Sequence, residues 1–150
     1  MGGFLKQFCP GKPTYTENNI PSLVGKVFIV TGGNAGVGLE IVKILYAKGG
    51  TVHIASRSLS KIEAEIQSIK ALHKGSPGQL KSLHLDLSDL TMIPTCVSAF
   101  LAQESRLDVL FNNAGISGVP AGSVSAQGQS SLPWNSHLRL RTESVLGVRP

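Results

Sequence analysis

Residues 23–115 alternate between short apolar runs and longer segments in which apolar residues recur at helical spacing. Val27-Phe28-Ile29-Val30 is unbroken, as a buried strand requires. A glycine-rich stretch then leads into Leu39-Glu40-Ile41-Val42-Lys43-Ile44-Leu45, a predicted helix with Glu40 and Lys43 away from the apolar side. Gly49-Gly50 end that helix, and Thr51-Val52-His53-Ile54-Ala55 supplies a second strand. Ser60 and Glu63 have the spacing of a capping box for a second helix, on which Ile62, Ile66, Ile69 and His73 share a face. Gly75 to Gly78 reads as a turn and Leu80 to Leu85 as a third strand. A third helix starts near Thr91, because Pro94 fits only a first turn, and runs to about Ser105 with Ile93, Val97, Phe100 and Leu101 inward. Leu107 to Phe111 is the fourth strand.

Strands that alternate with amphipathic helices need crossover connections, and crossovers produce a parallel sheet covered on both faces. The expected fold class is therefore α/β, a Rossmann-like doubly wound parallel sheet of strand order 3-2-1-4, truncated after about four strands. Three segments are expected: an N-terminal extension over 1–22, where Pro10, Pro13 and Pro21 break regular structure; the half-domain over 23–115; and an irregular tail over 116–150. Phe4, Leu5 and Phe8 in the extension form one candidate apolar patch. Ligands of such sheets sit at the carboxyl ends of the strands. Gly32, Arg57, Asp86 and Asn112 each follow a different strand there, and that convergence outweighs any single motif.

Composition narrows the function classes. At 150 residues, 41% of them hydrophobic, with a mean hydropathy of +0.13, the chain is sized for one globular domain. No apolar run approaches the roughly 18 residues that span a bilayer, and no signal-peptide core is present, so a cytoplasmic location is expected. Cys9 and Cys96 are far apart and join no Cys/His cluster, which argues against a metal site or a disulfide framework. The net charge of +5 comes from scattered Lys and Arg with few aromatics, unlike a nucleic-acid surface.

Thr31 to Gly38, reading TGGNAGVG between the first strand and helix, is the candidate anion site. A helix N-terminus offers unpaired N–H groups and the positive end of its dipole, which suit a diphosphate. Gly32 can take the tight turn, Gly36 lets backbone approach the ligand, and Gly38 lets helix and strand pack closely. GxGxxG spacing is absent, and Leu39 stands where a P-loop needs Lys. A glycine-rich turn without ligand is the plainer alternative. The segment resembles the TGxxxGxG motif of the short-chain dehydrogenase/reductase family, and Asn112-Asn113-Ala114-Gly115 resembles that family's NNAG motif. Neighbouring residues look most like the retinol-dehydrogenase-like branch. The resemblance implies that Gly32, Asn34, Gly36, Val37, Gly38, Asp86, Leu87, Asn112, Asn113, Ala114 and Gly115 hold a nicotinamide dinucleotide. Asp86 would bond the adenine, and Asn112 to Gly115 would line the ribose.

Which dinucleotide depends on the end of the second strand. An acid about 20 residues past the glycine turn selects NAD by accepting the ribose hydroxyls. Here Ala55-Ser56-Arg57-Ser58 has none, and Arg57 offers a fork of donors to a 2′-phosphate. NADP is favoured over NAD, with Arg57 as a mere loop residue the alternative. For Asp86 the alternative is an N-cap, a role for which Ser88, Asp89 and Thr91 are better placed.

The resemblance also implies a Tyr with a Lys four residues later and a Ser upstream, which carry proton transfer beside hydride transfer. The only tyrosines are Tyr15 and Tyr46, and Asn19 and Gly50 occupy the positions four further on. From Ile116 to Pro150 there are seven serines, prolines at Pro120, Pro133 and Pro150, and a single acid, Glu143. The resemblance is expected to fade near Gln127–Gly128, as if a frame change or retained intron replaced the second half. The expected function is the cofactor-binding part of an NADP-dependent oxidoreductase of alcohols or carbonyls, without catalytic residues or a metal. The alternatives are an inactive NADP(H)-binding or subunit-interaction module, or a non-functional product that does not fold stably.

Overall fold

The computed structural model describes residues 14–115 and 127–128. Its elements are β1 (Val27–Thr31), α1 (Gly36–Ala47), β2 (Thr51–Ser56), α2 (Leu59–Leu72), β3 (Gln79–His84), α3 (Met92–Leu101) and β4 (Val109–Phe111), preceded by a 3-10 turn at Glu17–Asn19. The four strands form one parallel sheet of order β3-β2-β1-β4, as the crossover pattern requires. Val27 pairs with Thr51, Phe28 with Val109 and Thr51 with Gln79, so the carboxyl ends of the strands lie side by side.

Alternation along β1 serves two cores. Phe28 and Val30 face a cluster built with Val42, Leu45 and Tyr46 of α1 and Ile62, Ile66 and Ile69 of α2. Val27 and Ile29 face the other side, with Ala55, Leu83 and the α3 residues Cys96 and Phe100. All of β1 is buried, which explains its unbroken apolar run. Its start is tied to β4 by Asp108, whose carboxylate accepts from the Val27 N–H at 2.9 Å and from Lys26 at 3.0 Å, and also bonds Arg106. Those donors, the Val27 N–H foremost, hold the Asp108 carboxyl down at about 2.

Several boundaries differ from the sequence expectation. The second helix is capped by Ser58, whose Oγ accepts from the Lys61 N–H at 3.5 Å, so Ser60 and Glu63 are not its capping box. The third helix ends at Leu101 short of Ser105, and the fourth strand begins at Val109, not Leu107. His73 is the C-cap of α2, with its ring edge-on to Tyr46 at 6.4 Å. Gly49, at φ 91°, closes α1 in the left-handed conformation that glycine takes most cheaply. Of the extension, residues 14–22 are described; Phe4, Leu5 and Phe8 lie outside the described residues, as does the tail apart from 127–128. Among the described residues no helix is long and apolar enough to cross a membrane.

Candidate dinucleotide site

The turn from β1 into α1 depends on close backbone approach. Gly32 has φ 65°, donates its N–H to the Ala55 carbonyl at 2.8 Å, and sits where a Cβ would be 3.2 Å from the Ala114 Cα. Gly33 is equally constrained: a Cβ there would meet Val42, Ile54 and the Val30 carbonyl at 2.9–3.2 Å. Gly38 packs against the turn itself, since a Cβ would lie 2.5 Å from the Gly32 carbonyl and would also strike the Asn113 amide. Gly36 is different. Its φ is 55° and nothing stands within 4 Å of a Cβ, so it borders open space.

That open space faces the start of α1. The N-cap, Ala35, has no side chain able to accept, and the first helical bond is from the Leu39 N–H to the Ala35 carbonyl at 3.2 Å. The amides of Gly36, Val37 and Gly38 therefore precede the helical ladder, and Val37 is 72% exposed. An anion placed there meets donors and the positive end of a 12-residue helix.

The end of β4 is locked to this turn. Thr31, 5% exposed, donates its hydroxyl to the Phe111 carbonyl at 3.1 Å and accepts from the Ala114 N–H at 3.0 Å. The Asn113 amide donates to the Thr31 carbonyl at 3.0 Å and to the Gly32 carbonyl at 3.5 Å. Asn113 thus satisfies backbone acceptors of the glycine turn while Thr31 satisfies a backbone donor of the NNAG segment and the Phe111 carbonyl before it, and the two motifs form one rigid unit. Thr31's bridging role joins residues about 80 apart in sequence, and Gly33's packing role depends on Ile54 of β2; neither was legible from spacing. Asn34 is half-buried, and Asn112 and Gly115 are exposed at the same edge.

Arg57 and Asp86 stand farther along that edge, after β2 and β3. Arg57 is exposed, and its carbonyl accepts from the His84 Nε2 at 3.1 Å. Asp86 accepts from the Ser88 hydroxyl at 2.7 Å and the Ser88 N–H at 2.9 Å. These bonds, the hydroxyl first, and the Arg57 charge lower its pKa, so Asp86 is ionised at neutral pH. It is not the cap of α3: Thr91 holds that position, with its N–H bonded to Asp89. Leu87 lines an apolar hollow of about 40 Å³ between α3 and the sheet, together with Thr31, Leu85, Ile93 and Leu110.

The two tyrosines lie away from this edge. Tyr46 is buried near the end of α1, with its carbonyl taking the Ser76 hydroxyl, and Tyr15 precedes the first strand. His53 is fully buried in β2 and bonds Glu104 through Nε2 at 3.1 Å. Lys81 reaches the same carboxylate at 2.5 Å. Burial lowers the His53 pKa despite the carboxylate, so the ring is neutral, and a carboxylate partner fixes the proton on Nε2.

A parallel sheet with a glycine turn, an open helix N-terminus and an interlocked Asn segment at its carboxyl edge defines a dinucleotide-fold α/β domain. The short chain dehydrogenase family model matches residues 26–146, and the chain belongs to that family. The match continues past Gly128, so the resemblance does not fade at Gln127–Gly128 as the composition of the tail suggested. The chain is 51% identical over 127 residues to the short-chain dehydrogenase/reductase iacJ of Pestalotiopsis fici, covering 82% of this chain and 39% of that protein. It is 45% identical over 116 residues to sthC of Phaeosphaeria nodorum, covering 77% and 37%. The chain thus spans about two fifths of the length of these curated relatives. Among solved structures, the NADP complex of RhlG from Pseudomonas aeruginosa superposes with a TM-score of 0.68 at 27% identity, covering 83% of this chain and 48% of that one. A metagenomic short-chain oxidoreductase in complex with NADP gives 0.57 at 36% identity, covering 63% and 41%.

Proposed function

We propose that this chain is the cofactor-binding part of an NADP-dependent short-chain oxidoreductase acting on an alcohol or carbonyl. The observation that carries the reading is the interlock of Thr31 and Asn113, which holds the glycine turn and the NNAG segment beside an uncapped helix N-terminus. The diphosphate sits over the turn of Gly32, Asn34, Gly36, Val37 and Gly38, where the amides of Gly36, Val37 and Gly38 and the open space at Gly36 suit a doubly charged group. The adenine lies beside Asp86 and Leu87, and the ribose of the nicotinamide half lies along Asn112, Asn113, Ala114 and Gly115. Arg57 meets the 2′-phosphate, in keeping with the NADP complexes among the structural relatives.

The dinucleotide supplies hydride-transfer chemistry when bound; the residues of this chain bind and orient it. Proton transfer to or from the substrate oxygen needs a group within hydrogen-bond reach, and a phenol serves near neutral pH only when its anion is stabilised. Tyr46 is buried in the core and neither tyrosine has a Lys four residues on, so residues 1–150 bind the cofactor without turning over a substrate. The test is thermal unfolding of the purified chain with NADPH, NADH or neither. A rise with NADPH that exceeds the rise with NADH, and that Gly36→Asp removes, supports the reading. No rise with either cofactor refutes it, and cofactor oxidation or reduction by the purified chain refutes the absence of turnover.

A further inference from the structure

Resting on the reading of Arg57 as the residue that meets the 2′-phosphate, we propose that His84 is a positioning residue that sets the preference for NADP by holding the Arg57 backbone. His84 is the last residue of β3 and pairs in register with Ser56, immediately before Arg57. Its Nε2 lies 3.1 Å from the Arg57 carbonyl oxygen, which can only accept, so Nε2 carries the proton. The neighbours of Arg57 are also tied. The Ser56 carbonyl accepts from the Leu85 N–H at 3.1 Å, the Ser58 N–H donates to the Ser56 Oγ at 3.4 Å, and Ser58 caps α2. With the residues on both sides held and its own carbonyl bonded, the backbone of Arg57 is restrained where it leaves the sheet edge, and so is the direction of its Cα–Cβ bond.

That direction matters because the guanidinium has a competing partner. The Asp86 carboxylate, two residues beyond His84, interacts with the Arg57 charge. An Arg on an unrestrained loop divides its time between that carboxylate and solvent, whereas one on a restrained backbone is preorganised for a third partner. NADP presents a phosphate at this place and NAD only a hydroxyl, so the restraint favours NADP selectively. His84 is exposed, and any loss of fold stability on removing this bond is the same whichever dinucleotide is added, so its effect is read in selectivity.

The experiment titrates NADPH and NADH separately into the purified chain, following nicotinamide fluorescence, for the parent, His84→Ala, His84→Gln, Arg57→Ala and the double Arg57→Ala/His84→Ala. Loss of one neutral hydrogen bond corresponds to roughly 2- to 12-fold in affinity. His84→Ala is expected to weaken NADPH by that factor and leave NADH unchanged. His84→Gln, which keeps an N–H donor, is expected to recover part of the loss, and His84→Ala is expected to add nothing once Arg57 is gone. An unchanged NADPH to NADH ratio in His84→Ala, beside a collapsed ratio in Arg57→Ala, overturns the role of His84 alone. An unchanged ratio in Arg57→Ala, or no binding of either dinucleotide to the parent, overturns the reading of the site on which it rests.

Discussion

Replacing Thr31 with Val exchanges one hydroxyl for a methyl of similar size, and the structure states what that hydroxyl does. It donates to the Phe111 carbonyl at 3.1 Å and accepts from the Ala114 N–H at 3.0 Å. Val has almost the same shape, so no cavity opens, and a methyl that can neither donate nor accept takes the place of the hydroxyl. Each is worth about 1 kcal/mol, and Thr31 is 5% exposed, so water cannot fully replace the lost partner. The expected destabilisation is about 2–3 kcal/mol, and Thr31→Ser, which keeps the hydroxyl, should recover most of it. In urea, with a slope of about 1.5 kcal/mol per molar, the midpoint falls by about 1.3–2 M. A shift below about 0.3 M, or an equal loss in Thr31→Ser, would refute the interlock.

Other substitutions test separate parts of the account. Gly38→Ala pushes a methyl against the Gly32 carbonyl and should cost about 1–3 kcal/mol in chemical denaturation, while Gly36→Ala, strained at φ 55° but in open space, should cost about 1 kcal/mol. Arg57→Ala should weaken NADP by about 1.5–3 kcal/mol in titration calorimetry and leave NAD nearly unchanged. Asp108→Ala strips the Val27 N–H of a charged acceptor and should cost about 1.5–3 kcal/mol at pH 7; the Asp108 contribution in the parent is complete above pH 3.8 and fades as pH falls toward 2. His53 acts at higher pH. Its folded pKa is depressed below 6.5 by burial, so below pH 6.5 the unfolded chain takes up a proton that the folded one resists, and stability falls with pH. His53→Gln should flatten that slope in melts between pH 6.5 and 5.

The alternation of apolar runs and amphipathic segments was enough to read all four strands, their order and both faces, because crossovers and two-sided burial leave few arrangements for such a pattern. Element ends were less legible. Ser58 and Ser60 offer the same capping chemistry, and only the path of the chain out of β2 decides that Ser58 is the cap. The glycine turn and the Asn segment were visible as separate motifs, yet their interlock was not, since Thr31 and Asn113 meet through a parallel pairing of β1 and β4. The same holds for His53, Lys81 and Glu104, which come from β2, β3 and the turn after α3 and meet at the Glu104 carboxylate only after folding. Gly33 differs from its neighbours in what packs above it, which no local spacing reveals.

The claim that the carboxyl edge of this sheet holds an NADP-type dinucleotide is tested most directly by backbone amide chemical shifts of the labelled chain during titration with NADPH. The account predicts saturable shifts concentrated at Gly32 to Gly38, Arg57, Asp86 to Leu87 and Asn112 to Gly115, with NADH reproducing all but those around Arg57. Shifts confined to the opposite edge, near Gly50 and Gly78, or no saturable shifts at all, would contradict it.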